Sequence, residues 1–255
     1  MSNSRTTELC SEGMLKIEDG SGNRLESMED WSRLYDTAKQ RHHWKQHRSA
    51  WCAADFVINR DGVSLIKRRV QGILGQPVSI DRVVPEFEQR FDEYGRGRVH
   101  DLGIFGATSA GDSLFVGVEA KVDESFGPRV QEAYLKAKAR QIIGESTKAP
   151  ERIEGLLARH FVTPDPGMFD VRYQLLYGTA GTLAAGADVS VFYVAVFRTP
   201  LYDESIAAAN FQDYENFIRR IEASPIQLSD DAAMAHEARI DGERLVCVHE
   251  VFAFE

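Results

Sequence analysis

Apolar residues recur at helical spacing through the first third of the chain and at strand spacing through its middle. Trp31, Leu34, Tyr35 and Ala38 stand at i, i+3, i+4 and i+7, which predicts a helix over 29–47. Ser49 is placed to cap a second helix over Ser49–Asn59. A third begins near Asp61 and stops by Gly75, where Gly72, Gly75 and Pro77 interrupt the pattern. Residues 81–92 read as a short helix carrying Glu86 and Glu88, with Glu93 just beyond. Residues 1–28 are polar and contain Gly13, Gly20 and Gly22, so they form a loose lead-in with room for one short hairpin.

The rhythm changes after Gly95-Arg96-Gly97. Val99–Phe105 and Leu114–Val122 are rich in β-formers, and Gly106–Gly111 between them reads as a hairpin connection. Helices are expected from about Phe126-Gly127-Pro128 to Ile143, over Glu151–His160 and over Val171–Ala185, with a turn at Pro164–Gly167. Val189–Phe197 (VSVFYVAVF) is almost uninterruptedly apolar, the mark of a strand covered on both faces. Ile206–Ile221 is helical and Arg244–Phe254 a closing strand. Helices, a hairpin, more helices, a buried strand, a helix and a strand predict an α/β fold, a mixed sheet with helices packed on it.

The charge distribution separates two ends of the chain. The 255 residues carry a net charge of −9, which opposes constitutive binding to a polyanion. Arg33–Arg69 nevertheless holds nine Lys/Arg against three Asp/Glu, plus His42, His43 and His47. Leu201–Glu255 holds four against twelve. A solvated helix face is the ordinary explanation of such a basic stretch, and a local nucleic-acid surface is the functional one. Three scattered cysteines (Cys10, Cys52, Cys247) argue against a disulfide framework and for a reducing, cytoplasmic setting. No run of about 18 apolar residues predicts a membrane span, and the N-terminus lacks the apolar core of a secretory signal.

Candidate chemistry concentrates in the hairpin. Alternation along a strand puts Glu119 and Lys121 on one face, about 7 Å apart, with Val118, Ala120 and Val122 turned to the other. If Asp101 lies at matching height on the neighbouring strand, two carboxylates and an amine converge. Hard oxygen donors of this kind suit Mg²⁺ or Mn²⁺. Against this stands the simpler explanation of a same-face ion pair, because Glu-x-Lys is common.

Around these residues the chain resembles the PD-(D/E)XK phosphodiesterase superfamily, the restriction-endonuclease-like fold. Asp101 matches its motif acid, Glu119 its second acid and Lys121 its lysine. The resemblance implies a restriction-endonuclease-like mixed central sheet flanked by helices over 81–255, preceded by a lead-in and helical region over 1–80. It implies Asp101, Glu119 and the Ala120 carbonyl as metal ligands and Lys121 as the group that positions water. A further acid would come from a preceding helix, with Glu86 the first choice and Glu93 the second. The clear match covers about Asp81–Tyr134. Val118–Pro128 (VEAKVDESFGP) and Arg172–Leu176 (RYQLL) also look like a bacterial branch of the superfamily. Two positions depart from the pattern: His100 replaces the proline before the motif acid, and Gln131 and Tyr134 are three apart where some nuclease branches have a Gln-x-x-x-Tyr helix.

Other candidates are weaker. Gly106–Ser113 has P-loop glycine spacing but Asp112 in place of the lysine. His43 and His47 lack a third ligand, and His236-Glu237 lacks the second histidine of a zinc-protease helix. Arg172 and Gln174 suit a helix-end hydrogen bond or ion pair better than a phosphate contact. Trp44, Arg48 and Trp51 have spacing that serves core packing as well as base stacking. The expectation is a metal-dependent phosphodiester hydrolase acting on nucleic acid, DNA first, with backbone contacts from Arg33–Arg69 and a homodimer left open. The rival is a catalytically inactive binding or assembly module of the same fold.

Overall fold

A computed structural model describes residues 15–37 and 41–254; the expectations for 1–14 and for 38–40 lie outside the described residues. An eight-stranded mixed sheet forms the centre, in the order β1-β2-β3-β4-β5-β8-β7-β6. Its strands are β1 (Lys16–Ile17), β2 (Val78–Gln89), β3 (Arg98–Thr108), β4 (Ser113–Lys121), β5 (Val189–Arg198), β6 (Ser224–Ile226), β7 (Ala233–Ile240) and β8 (Glu243–Ala253). The helices are α1 (Met28–Ser32), α2 (Ser49–Ile58), α3 (Gly62–Leu74), α4 (Val130–Ile142), α5 (Ala149–His160), α6 (Tyr173–Leu183) and α7 (Glu204–Arg220). Strands β4, β5 and β8 run parallel, while the β2-β3-β4 and β8-β7-β6 flanks are antiparallel.

The expected buried strand is β5, where every residue from Val189 to Phe197 is buried. Its alternate side chains feed two separate cores. Val191, Tyr193 and Ala195 pack with α2, α3 and one face of the hairpin. Phe192, Val194 and Val196 pack with α5, α6 and α7 on the other face. Apolar residues of α2 and α3 (Cys52, Phe56, Ile66, Val70) therefore share one core with Val83, Leu102 and Val118 of the sheet. Among the described residues, no helix is long and apolar enough to cross a membrane.

Three expectations are corrected. Residues 81–92 belong largely to strand β2 and not to a helix. Val78 and Ile80 are buried while Ser79 and Asp81 are exposed, and the β-branched Val83 and Val84 continue the strand. Pro85 is tolerated because β1 pairs with β2 only at Arg82 and Val83, leaving the proline beside an open edge. The helix expected over 29–47 is one short helix, a 3₁₀ turn at Arg33–Tyr35, and irregular chain from 41 to 48. Trp44 stacks on Tyr35 with ring centroids 5.3 Å apart, whereas nine residues of helix would separate them by about 13 Å. Strands β6 and β7 stand where no element was expected. In β7 the inward positions are mostly alanine (Ala233, Ala235, Ala238, with Ile240), so the alternation carries little hydrophobic contrast.

Candidate functional site

The hairpin places its acids by register. Leu102 pairs with Val118, which brings Asp101 level with Glu119 at the open end of β3 and β4. Pro85 pairs with Leu102 and Phe87 with His100, which brings Glu86 level with Asp101. Three carboxylates thus stand in one row across β2, β3 and β4.

Side-chain alternation breaks in that row. Leu102 and Ile104 face the α2–α3 core, but His100 and Arg98 both turn towards α6, against Gly181. Asp101 sits at the changeover. On the adjacent strand Glu86 adopts a left-handed backbone, φ +49°, which is costly for a residue with a Cβ. The changeover frees the Asp101 carboxylate from the sheet faces, and its Oδ2 accepts the Ala120 N–H at 2.7 Å.

Glu119 and Lys121 lie on one face of β4, as alternation predicts, with Val118, Ala120 and Val122 in the opposite core. Lys121 Nζ donates to Glu119 Oε1 at 2.9 Å and to Gln174 Oε1 at 3.1 Å. Gln174, in the first turn of α6, returns its Nε2–H to Glu119 Oε1. Arg98 donates from Nη2 to the other Glu119 oxygen, while its buried Nε has no hydrogen-bond partner. Both Glu119 and Lys121 are buried, at 2% and 4% exposure. Glu86 Oε1 accepts the Tyr35 hydroxyl at 2.6 Å.

These groups open into a cavity of about 730 Å³ lined by Tyr35, Glu86, Arg98, Asp101, Glu119, Glu124 and Gln174. His42, His43, Lys45, Arg48 and Arg96 also line it and supply its basic groups. Burial pushes the Glu86 carboxyl up to about 7, helped by the neighbouring Asp101 and opposed by the Tyr35 hydroxyl. Burial also raises Asp101, against the pull of Lys121 and the Ala120 N–H, and lowers the proton affinity of Lys121. Two cations, Arg98 and Lys121, bond Glu119 at this end of the cavity, which also holds the carboxylates of Glu86, Asp101 and Glu124.

The donor set is the test of fit for a metal. The carboxylates of Asp101 and Glu119 and the Ala120 carbonyl are hard oxygen donors. In donor chemistry the residues fit Mg²⁺ or Mn²⁺. Among the described residues no three His, Cys, Asp or Glu groups stand close enough to form a ready coordination cage. The arrangement accounts for this, because Arg98, Lys121 and Gln174 hold the Glu119 oxygens and the Ala120 N–H holds Asp101 Oδ2.

The structure brings Glu86, Asp101, Glu119 and Lys121 together, with Glu86 arriving on a strand and not on a helix. Glu93 is exposed and does not line the cavity. Gln131 is exposed and Tyr134 bonds Glu154. The glutamine and tyrosine that approach the site are Gln174 and Tyr177, the latter's ring 5.8 Å from the Arg98 guanidinium. Arg172 pairs with Asp213 at 2.7 Å, the helix-end ion pair favoured by its position. Of the basic and histidine side chains of Arg33–Arg69, His42, His43, Lys45 and Arg48 line the cavity, whereas the half-buried Arg69 pairs with Glu250. His43 and His47 do not share a helix, and His47 has φ +69°. Sequence reasoning missed Tyr35, Arg98 and Glu124. Only Glu124 carried a nearby signal, as the second acid after Glu119 in the string Glu119–Glu124.

A larger cavity, about 860 Å³, lies between the ends of α5 and α7 and strand β6. Arg219, Arg220 and Arg239 line it with Asp165, Glu222 and Glu237, but Arg220 already pairs with Asp165 at 2.9 Å and Glu237 with Arg244, and its acids are not level on adjacent strands. The acid row is therefore the stronger candidate site. No curated protein and no solved structure matches the chain. Residues 24–249 match the model of a family described as a domain of unknown function, DUF6946, and the chain belongs to that family.

Proposed function

We propose that this chain is a divalent-metal-dependent phosphodiester hydrolase of the PD-(D/E)XK kind, acting on nucleic acid and on DNA first. One observation carries the reading: Glu86, Asp101 and Glu119 stand level on three adjacent strands, with Lys121 bonded to Glu119, at the wall of a cavity with basic lining. Asp101, Glu119 and the Ala120 carbonyl would hold Mg²⁺ or Mn²⁺, with Glu86 as a further acid. The bound ion would lower the pKa of a coordinated water and offset charge on the reacting phosphoryl group.

The chain's own residues have separate tasks. Gln174 fixes Lys121 and Glu119 relative to one another through hydrogen bonds to both. Lys121 orients the attacking water; burial lowers its proton affinity, so it gives up its own proton more readily than an exposed lysine, the condition for then accepting one from water. Lys45, Arg48 and the histidines at 42 and 43 face the cavity where a phosphate backbone would lie. Their local charge permits polyanion binding despite the net charge of −9.

Labelled single- and double-stranded DNA and RNA, incubated with the protein in Mg²⁺, Mn²⁺ or EDTA, test the reading. Cleavage is expected with metal only, and Lys121→Ala or Asp101→Asn should slow it by roughly 10²–10³-fold while substrate binding persists. Wild-type rates in both variants would remove the hydrolase.

A second reading rests on Arg98. Its guanidinium bonds Glu119 directly, so the protein already carries a cation beside the acids. A non-catalytic binding or assembly module would keep this arrangement permanently. Nucleic-acid binding without metal-dependent cleavage of any of the four substrates would favour that module.

A further inference from the structure

Arg98 is the least expected member of the site. It lies three residues before Asp101, on the α6 side of the changeover in β3, with its side chain only 11% exposed. Its Nη2 bonds Glu119, its charge acts on Asp101 and Glu86, and its ring neighbour is Tyr177. A structural guanidinium of this burial ordinarily spends its donors on fixed acceptors. The buried Nε of Arg98 has no partner, as is also true of Arg152, Arg159 and Arg220; Arg98 differs from them in that its acceptor, Glu119, belongs to the acid row and also takes Lys121 and Gln174. The hydrogen-bond set of Arg98 is thus incomplete, and the charge of the neighbouring acids holds its pose.

A guanidinium and a divalent cation satisfy the same need in this row. Both neutralise Glu119 and Asp101, and both cannot take the same Glu119 oxygen.

We propose that Arg98 is a built-in competitor of the metal: it occupies the Glu119 carboxylate until a divalent cation displaces it. The inference rests on the hydrolase reading for the existence of the cation site, and adds to it a residue that sets metal affinity. Arg98 is on this account a positioning residue, since it acts through Glu119.

Isothermal titration with MnCl₂ on the full chain tests it, using wild type, Arg98→Lys and Arg98→Ala. Mn²⁺ is expected to bind Arg98→Ala at least tenfold more tightly than wild type, with Arg98→Lys in between, because a lysine keeps the charge but loses the planar fork. Methylguanidinium added to Arg98→Ala should weaken Mn²⁺ binding again and leave wild type unchanged, a response that a merely structural arginine would not produce. Thermal unfolding with and without Mn²⁺ reports which variants are folded, and Arg98→Lys decides the matter if Arg98→Ala is not. Equal or weaker Mn²⁺ affinity in a folded variant overturns the competitor role while leaving a metal-binding wild type, and the hydrolase reading, intact. Failure of all folded forms to bind Mn²⁺ removes the cation site itself and the competitor with it.

Discussion

Glu119→Ala should destabilise the protein by about 3–5 kcal/mol, the cost of breaking a buried ion pair from one side. The Glu119 carboxylate, 2% exposed, accepts from Arg98, Lys121 and Gln174. Truncation leaves two buried cations facing each other across a void. Glu119→Gln keeps the volume and one acceptor oxygen, so its cost should be nearer 1–3 kcal/mol. Urea denaturation followed by circular dichroism measures both, and an Ala variant with the wild-type midpoint would contradict the hub role of Glu119. The comparison has a practical consequence. Loss of activity in Glu119→Ala mixes folding with chemistry, whereas Glu119→Gln, like Asp101→Asn, isolates the charge.

Acidification should unfold the protein through its buried histidines. His160 is 3% exposed, with Nδ1 2.8 Å from the Leu156 carbonyl and Nε2 2.9 Å from Thr179 Oγ1, and burial holds its pKa down at about 4. His249 is held at about 4 by the same cause. The unfolded chain protonates both near 6.5, so it binds protons first as pH falls. The stability is therefore present above about pH 6.5 and is lost progressively towards pH 4, by roughly 3 kcal/mol for each histidine. Glu86 works in the opposite direction. Its folded pKa of about 7 lies above the unfolded value, so the folded state gains protons from pH 7 downward and is favoured by acid until the unfolded carboxyl titrates too. The difference between wild type and His160→Gln isolates the histidine contribution. Unfolding free energies from pH 7.5 to 4.5 should fall less steeply in the variant, and parallel curves would contradict the assignment.

Much of the sheet's centre was legible in the sequence because its signals are local. The alternation of Val118, Glu119, Ala120, Lys121 and Val122 sets each side chain's face, and nine consecutive buried residues of β5 announce an interior strand. Strand β2 was not legible, since Val83-Val84-Pro85-Glu86 contains a proline and a left-handed glutamate that break the period-two pattern. What completes the site comes from long sequence separations. Tyr35 meets Glu86 across 51 positions and Gln174 meets Glu119 across 55, and no spacing rule reports such pairs. Arg98 was closer, but its direction depends on the changeover at Asp101, which strict alternation does not predict. Three carboxylates in register were inferable only once β2 was known to be a strand.

The most direct test of the central claim, that this acid row is a cation site, is anomalous scattering from crystals of the protein soaked in Mn²⁺. A Mn²⁺ peak touching Asp101 and Glu119 is expected, with the Arg98 guanidinium moved off Glu119. Saturating Mn²⁺ with no peak at these carboxylates, and Arg98 still bonded to Glu119, would contradict it.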